Sequence, residues 1–222
     1  MTDSVMPEKT QRTYLPAAGL DVFLPLYDGV TRLMGLDKAR AALLETAGLQ
    51  PGQRVLDIGC GTGSLAVALK RRYSQIEVFG LDPDPKALAR ANRKAQQAGV
   101  SVEFHQGCAD ALSYPTGFFD RVFSSFMFHH LEHDQKEGAL REVRRVLKPG
   151  GRLHLLDFSS TQEGGSHSFL RLLHSHGRLK DNTTNRILAL LASAGLGNPR
   201  VVGTRRVLLG LSQAVFYEAS AP

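Results

Sequence analysis

The residues best placed for chemistry are three glycines and a carboxylate at the end of an apolar run. Residues 55–58, which include Asp57, are followed by Gly59, Gly61 and Gly63. Glycine adopts positive φ and has no Cβ, so a turn of this kind lets a ligand approach the backbone. A strand, a glycine turn and a helix together form the place where open α/β sheets meet nucleotide-like ligands.

A second carboxylate, Asp82, follows the apolar run 77–81 and stands about 20 residues after the glycine turn. An acidic residue at this separation suits a ribose whose two hydroxyls are unmodified. The dinucleotide-binding fingerprint has a third glycine where Ser64 stands here. The glycines alone are therefore equally consistent with a tight turn that holds no ligand.

Four ordered segments resemble the class I S-adenosylmethionine-dependent methyltransferases. Residues 55–63 resemble motif I of that family, and residues 80–82 resemble its second-strand motif. Residues 119–125 resemble its fourth strand, and residues 142–153 resemble the following helix, turn and fifth strand. The likeness is greatest to the small-molecule branch that includes ubiquinone/menaquinone C-methyltransferases and bacterial phosphatidylethanolamine N-methyltransferases.

The resemblance implies S-adenosyl-L-methionine as cofactor, with S-adenosyl-L-homocysteine as product. By resemblance, Asp57 orders the turn and the ammonium end of the donor, and Asp82 accepts hydrogen bonds from the ribose hydroxyls. Pro83 either packs on the adenine or only forms the turn. The residues expected to contact the cofactor are Asp57, Gly59, Cys60, Gly61, Gly63, Asp82, Pro83, Cys108, Ala109, Asp110 and Ser124.

The expected adenine contact departs from the family pattern. Relatives often have Gly-Asp-Ala after the third strand, with the aspartate bonded to the adenine amino group, whereas this chain has Cys108 at that position. A thiol is a weak hydrogen-bonding group. Either Asp110 or the backbone of residues 108–109 is expected to take over this contact.

The candidate catalytic residues are His129, His130 and Tyr27. The two histidines follow the fourth predicted strand, where one of them can orient or deprotonate an acceptor, since a histidine pKa is near neutral. Adjacent histidines point in different directions, so at most one is expected in the site. Tyr27 resembles the tyrosine that closes over the sulfonium in relatives, and a place in the core is an equal alternative.

Composition limits the possible partners. The net charge is +6, but the basic residues are dispersed and no block of five like charges occurs. The Asn/Asp-Pro-Pro-aromatic motif of amino-methylating DNA enzymes is absent, which disfavours nucleic acid. The expected partner is a small-molecule acceptor. Alternatives are a membrane-associated lipid or quinone precursor, which would bring peripheral membrane contact, and a non-catalytic S-adenosylmethionine-binding or RNA-binding module. The sequence leaves the oligomeric state open.

The chain has two cysteines, Cys60 and Cys108, which disfavours a disulfide framework and favours a reducing cytoplasm. Two cysteines are too few for a four-cysteine zinc site, and the pair His174 and His176 has no acidic or cysteine partner beside it. No metal is expected.

Alternating strands and helices predict an α/β fold: a Rossmann-like, doubly wound sheet, mostly parallel with an antiparallel last strand, covered by helices on both faces and by an N-terminal helical cap. The expected divisions are a disordered arm at 1–13, the cap at 14–50 and the core at 51–222, with an insertion at 159–182. Predicted strands are 53–58, 76–82, 101–106, 119–124, 152–158, 200–207 and 212–218. Predicted helices are 37–47, 63–72, 85–98, 134–147 and 184–194. Asp37 and Asp84 are expected helix caps, and Asp134 with Glu137 a capping box.

Overall fold

The protein is described from a computed structural model that covers residues 34–159, 182–210 and 212–222. In chain order, the helices of this part are α1 (Leu36–Thr46), α2 (Ser64–Arg72), α3 (Pro85–Gln97), α4 (His133–Val146) and α5 (Thr184–Ser193). The strands are β1 (Arg54–Ile58), β2 (Glu77–Asp82), β3 (Glu103–Gln106), β4 (Phe119–Ser125), β5 (Leu147–Ser159), β6 (Gly197–Val207) and β7 (Ser212–Ser220).

The seven strands form one sheet in the order β3-β2-β1-β4-β5-β7-β6. Strands β1 to β5 pair in parallel, whereas β7 is antiparallel to both β5 and β6. The sequence therefore correctly predicted a mostly parallel sheet with an antiparallel last strand. The strand order reverses between β1 and β4, and the crevice outside the carboxyl ends of the strands at such a point is where open α/β sheets bind ligands.

Both faces of the sheet are covered. One apolar cluster joins α4 and α5 to the sheet through buried residues such as Leu140, Val143 and Ile187. The other joins α1 and α2 through residues such as Leu43 and Leu69. Because the central strands are buried on both sides, apolar residues occupy consecutive positions in them, as at 55–56, 122–123 and 155–156, rather than every second position.

Helix boundaries agree with the sequence in part. Asp84 caps α3, since its side chain accepts a hydrogen bond from the backbone N–H of Lys86 at 2.8 Å. The other two caps were predicted wrongly. Asp37 lies in the first turn of α1, which begins after Gly35 at φ +77°. The capping box of α4 is formed by Glu132 and Gln135, two residues before the predicted pair, because the helix begins at His133.

Three predicted segments fall largely outside the described residues: the arm at 1–13, the cap up to residue 33 and the insertion from 160 to 181. Of the predicted cap, α1 is described. Within the described part of the chain, no helix combines the length and apolarity that crossing a membrane requires.

Candidate functional site

A cavity of about 340 Å³ opens at the carboxyl ends of the parallel strands, where the strand order reverses. Its walls come from the glycine turn after β1, the end of β2, the loop after β3 and the turn after β4. Sequence-predicted residues that line it are Gly59, Cys60, Gly61, Asp82, Pro83, Cys108, Ala109, Asp110 and His130. Distant segments therefore converge on one site.

The three glycines of the turn have different roles. All have positive φ: +68° at Gly59, +52° at Gly61 and +76° at Gly63. A Cβ at Gly59 would lie 2.3 Å from Cγ of Met127, and one at Gly63 would lie 2.8 Å from Cβ of Ala91. These two glycines permit close packing. A Cβ at Gly61 would meet nothing within 4 Å, so this glycine leaves bare backbone beside the cavity.

Asp82 connects β2 to the glycine turn. One carboxylate oxygen accepts a hydrogen bond from the backbone N–H of Gly61 at 2.8 Å, and the other accepts from that of Asp84 at 3.0 Å. Burial raises the pKa of Asp82, and these two donors oppose the shift. Because a carboxylate oxygen has more than one lone pair, Asp82 retains acceptor capacity toward the cavity.

Asp57 lies beneath the turn and is not among the residues that line the cavity. Its side chain is fully buried, and within the described residues neither carboxylate oxygen has a donor at full hydrogen-bond geometry, although the backbone N–H of Ala66 is close enough to lower its pKa. Burial raises its pKa to about 7, and the Arg40 cation opposes this rise. Gly63 likewise lies outside the lining and caps α2.

Arg40 on α1 is a cavity residue that the sequence did not single out. It is 8% exposed, and its guanidinium donates to Asp37 at 2.9 Å and to Oγ of Ser125 at 3.4 Å. The guanidinium also lies 5.5 Å from the centre of the Phe126 ring. A buried cation at the cavity wall is suited to an anionic group of a ligand.

The end of β4 presents a different serine from the predicted one. Ser125 lines the cavity, whereas Ser124 is buried outside its lining, with no hydrogen-bond partner for Oγ among the described residues. The next residue, Phe126, has φ +55°, a conformation that costs energy for a non-glycine residue and is enriched at functional sites. Strand alternation decides which serine faces the cavity, and two adjacent serines carry no pattern from which that register can be predicted.

Thr62 is a further lining residue that the sequence did not single out. Nζ of Lys94 on α3 donates to its hydroxyl at 3.1 Å and to the hydroxyl of Ser64 at 2.8 Å. The lysine therefore fastens the glycine turn to a neighbouring helix.

The two histidines occupy different environments. His130 lines the cavity, whereas His129 is 3% exposed, and its Nδ1 lies 2.6 Å from Oδ1 of Asp157 on β5. The His129 backbone N–H also donates to Asp157, at 2.8 Å. Burial raises the pKa of Asp157, but His129 and the backbone donors together lower it by more than burial raises it. The pKa of Asp157 is therefore below its usual value. The pair fastens the short 3-10 turn Phe128–His130 to the sheet.

Tyr27 lies outside the described residues. Among the residues that are described, no group of three or more histidine, cysteine or acidic side chains is arranged to hold a metal ion.

The cavity has the groups that S-adenosylmethionine requires. Bare backbone at Gly61 provides space for the donor beside the turn, and Asp82 offers acceptors for a ribose diol. Arg40 suits the carboxylate of an amino acid. The fit rests on the turn, on β2 and on α1 together.

Comparison with known proteins agrees with this geometry. Residues 55–151 match the model of a methyltransferase domain family. The chain is 40% identical over 156 residues to the demethylmenaquinone methyltransferase of Deinococcus radiodurans, covering 68% of this chain and 64% of that protein. It is 41% identical over 143 residues to the enzyme of the same name from Thermus thermophilus, covering 63% of this chain and again 64% of the relative. The chain thus spans less than two thirds of the length of each relative.

The fold is also similar to that of a solved structure. Phosphoethanolamine N-methyltransferase 2 of Haemonchus contortus, in complex with S-adenosyl-L-methionine, superposes with a TM-score of 0.71 at 18% identity. The match covers 90% of this chain and 59% of that one. The strand order and the glycine turn agree with this likeness, and residues 55–151 match a methyltransferase domain.

Proposed function

We propose that the protein is an enzyme that transfers a methyl group from S-adenosylmethionine to a small-molecule acceptor. The observation that carries the proposal is the pairing of Gly61, which leaves bare backbone beside the cavity, with Asp82, which binds that backbone and faces the same cavity. The methyltransferase domain match and the demethylmenaquinone methyltransferase relatives support it. We also propose that it acts in the cytoplasm, where its two thiols would remain reduced.

Methyl transfer is an in-line displacement at carbon, in which the acceptor–carbon bond forms as the carbon–sulfur bond breaks. Bound S-adenosylmethionine supplies the methyl group on a sulfonium, which is already a good leaving group. The protein must therefore mainly align the reactants and exclude water. Asp82 holds the ribose, and Arg40 pairs with the donor carboxylate. His130 is placed to accept a proton when the acceptor must lose one.

The acceptor class that we favour is a quinone precursor. The two relatives described above are named for methylation of demethylmenaquinone. Beside His130, the cavity is lined by Phe126, Met127 and Leu131, an apolar surface suited to an aromatic ring. The imidazole can then bond to a ring hydroxyl.

Calorimetric titration with S-adenosylhomocysteine tests the cofactor. We expect Asp82→Asn to weaken binding by about 1.5–3 kcal/mol, because a charge-assisted acceptor is lost. Glu77→Gln is the matched control, since this exposed carboxylate lies at the opposite end of the same strand. Absence of binding by the wild-type protein would contradict the proposal.

The acceptor requires a second assay, which uses methyl-labelled S-adenosylmethionine with a reduced demethylnaphthoquinone, an ethanolamine phospholipid or RNA. We expect label in the quinol alone. Label in the phospholipid or in RNA would replace the favoured acceptor. Tight cofactor binding without label in any substrate would support a non-catalytic binding module.

A further inference from the structure

The loop between β3 and β4, residues 107–118, forms one wall of the cavity and contains neither helix nor strand. Cys108, Ala109 and Asp110 lie in this wall. Since no strand pairing fixes their backbone, other contacts must determine where these residues lie. The backbone N–H of Gly107 donates to the carbonyl of Asp82 at 3.2 Å, and several further contacts come from one face of α4.

Two side chains of α4 bind the loop backbone at three points. Oε2 of Glu142 accepts a hydrogen bond from the N–H of Leu112 at 2.9 Å. The Arg145 guanidinium donates to the carbonyl of Leu112 at 2.9 Å and to that of Tyr114 at 2.8 Å. The N–H and carbonyl of one residue are therefore held by two side chains that also bind each other.

The Glu142–Arg145 pair is a preorganised clamp. The guanidinium contacts both carboxylate oxygens, at 2.8 and 2.7 Å. The side-chain hydrogen bond from Arg145 lowers the pKa of Glu142, and the same bond raises the pKa of Arg145. Arginine offers several donors in a planar fork, whereas lysine offers a single point charge. The two loop carbonyls and the carboxylate therefore depend on an arginine at this position.

A packing contact between α4 and the loop lies closer to the cavity. A Cβ at Gly138, which precedes Glu142 by one helical turn, would lie 3.0 Å from Cβ of Asp110. The helix therefore packs tightly against the residue that faces the cavity, and the clamp holds the chain just beyond it. Residues 138, 142 and 145 share one face of α4.

We propose that Glu142 and Arg145 are positioning residues for the adenine end of the donor, a role that rests on the proposed function. By fixing Leu112 and Tyr114, they hold residues 108–110 at the distance from which the loop distinguishes adenine from other bases. The clamp compensates for Cys108, because a wall with a weak hydrogen-bonding side chain must recognise the base through its backbone and through Asp110. Such recognition requires a backbone held in one place.

The test measures affinity by calorimetry for three ligands. S-adenosylhomocysteine has the whole nucleoside, S-inosylhomocysteine replaces the adenine amino group by a carbonyl, and S-ribosylhomocysteine has no base. For Arg145→Lys and Glu142→Gln, we expect S-adenosylhomocysteine affinity to fall about tenfold while S-ribosylhomocysteine affinity stays within about twofold of the wild-type value. The ratio of S-adenosylhomocysteine affinity to S-inosylhomocysteine affinity should also fall.

The matched control is a second pair on the same helix. Nη1 of Arg141 lies 3.7 Å from Oε2 of Glu137 on α4, and the two side chains are 66% and 42% exposed. Arg141→Lys and Glu137→Gln should leave all three affinities unchanged. Thermal melts of every variant set a measuring temperature at which each protein is folded.

Two results would overturn the inference alone: clamp variants whose adenosyl-to-inosyl preference equals that of the wild type, or an equal loss of affinity for the base-free ligand. The first would mean that the clamp only fastens the loop, and the second that it supports the whole site. Failure of the wild-type protein to bind S-adenosylhomocysteine would instead overturn the proposed function, and this inference with it.

Discussion

Gly59 and Gly61 are two residues apart, yet they serve packing and ligand access respectively. We predict that Gly59→Ala strongly destabilises the fold, since its Cβ would overlap Met127, whereas Gly61→Ala costs about 1–3 kcal/mol for the positive φ alone. Gly61→Ala should nevertheless abolish detectable S-adenosylhomocysteine binding, because the added methyl group occupies the space beside the turn.

Urea denaturation and calorimetry together separate the two effects. Gly52→Ala is a control, since that glycine has φ +79° in a turn before β1 with no atom near its Cβ position. It should lose a similar amount of stability to Gly61→Ala and keep its affinity. Equal affinity in Gly61→Ala and the wild type would place the donor elsewhere.

Asp57 makes stability depend on pH in an unusual direction for an aspartate. Its pKa rises from 3.8 to about 7 on folding, so the folded protein keeps a proton that the unfolded chain has lost between these values. Its contribution to the free energy of unfolding is therefore greatest below pH 3.8 and falls as pH rises toward 7.

We predict that Asp57→Asn gains stability relative to the wild type as pH rises through this window, by up to about 4 kcal/mol. Urea denaturation between pH 4.5 and 8 checks this, because it gives the difference in free energy of unfolding between the variant and the wild type at each pH. Glu77→Gln, which changes an exposed carboxylate, should show a much flatter difference. A flat difference for Asp57→Asn would mean that Asp57 is ionised throughout.

Single residues also mark where sequence reasoning succeeds. Gly61 and Asp82 were identified because their spacing along the chain follows from a strand, a turn and a second strand. Arg40 was missed because an arginine on an amphipathic helix usually faces solvent. Only the fold brings it to Ser125, 85 positions away.

The turn Phe128–His130 acts as a unit that separates a structural histidine from a cavity histidine. We predict that His129→Ala destabilises the protein by about 3 kcal/mol, because Asp157 loses its main partner while buried. His130→Ala should cost less than about 1 kcal/mol, as expected for a partly exposed residue, and should reduce methyl transfer to the identified acceptor.

Urea denaturation and the labelled-methyl assay distinguish these outcomes, and the double variant of His129→Ala with Asp157→Asn measures the coupling between the two residues. Similar stability losses for both histidine variants would contradict the assignment of a structural role to His129 and a cavity role to His130. Full turnover by His130→Ala would remove that residue from catalysis.

Most elements were predicted within one to three residues, because apolar runs and the Pro85 and Gly195 breakers bound them. Helix starts were predicted less accurately. The sequence Glu132–Glu137 offers several acidic groups, and the box forms at Glu132 since packing of the preceding 3-10 turn decides where α4 begins. The cavity wall formed by residues 107–118 was the hardest part to predict, because its shape depends on side chains of α4 that follow it in the chain.

For the molecule as a whole, the cavity links β1, β2, β4 and α1, so a bound ligand should stabilise all of them together. We predict that S-adenosylhomocysteine at 100 times its Kd adds about 2.7 kcal/mol to the free energy of unfolding. For a chain of this size, that corresponds to a rise in Tm of roughly 5–10 °C. Differential scanning calorimetry checks it, and an equal rise in Asp82→Asn at the same ligand concentration would contradict donor binding at this cavity.

The two cysteines of the chain both lie in the cavity wall, and their surroundings differ. Cys60 is buried, and burial raises its thiol pKa well above the usual value, whereas Cys108 is partly exposed. Electrophilic reagents that react with thiolates should therefore label Cys108 first. The protein thus contains a natural attachment point for a fluorophore or a spin label, with no engineered cysteine needed. The rate at which Cys108 is labelled would report directly on whether a ligand occupies the cavity beside residues 107–118.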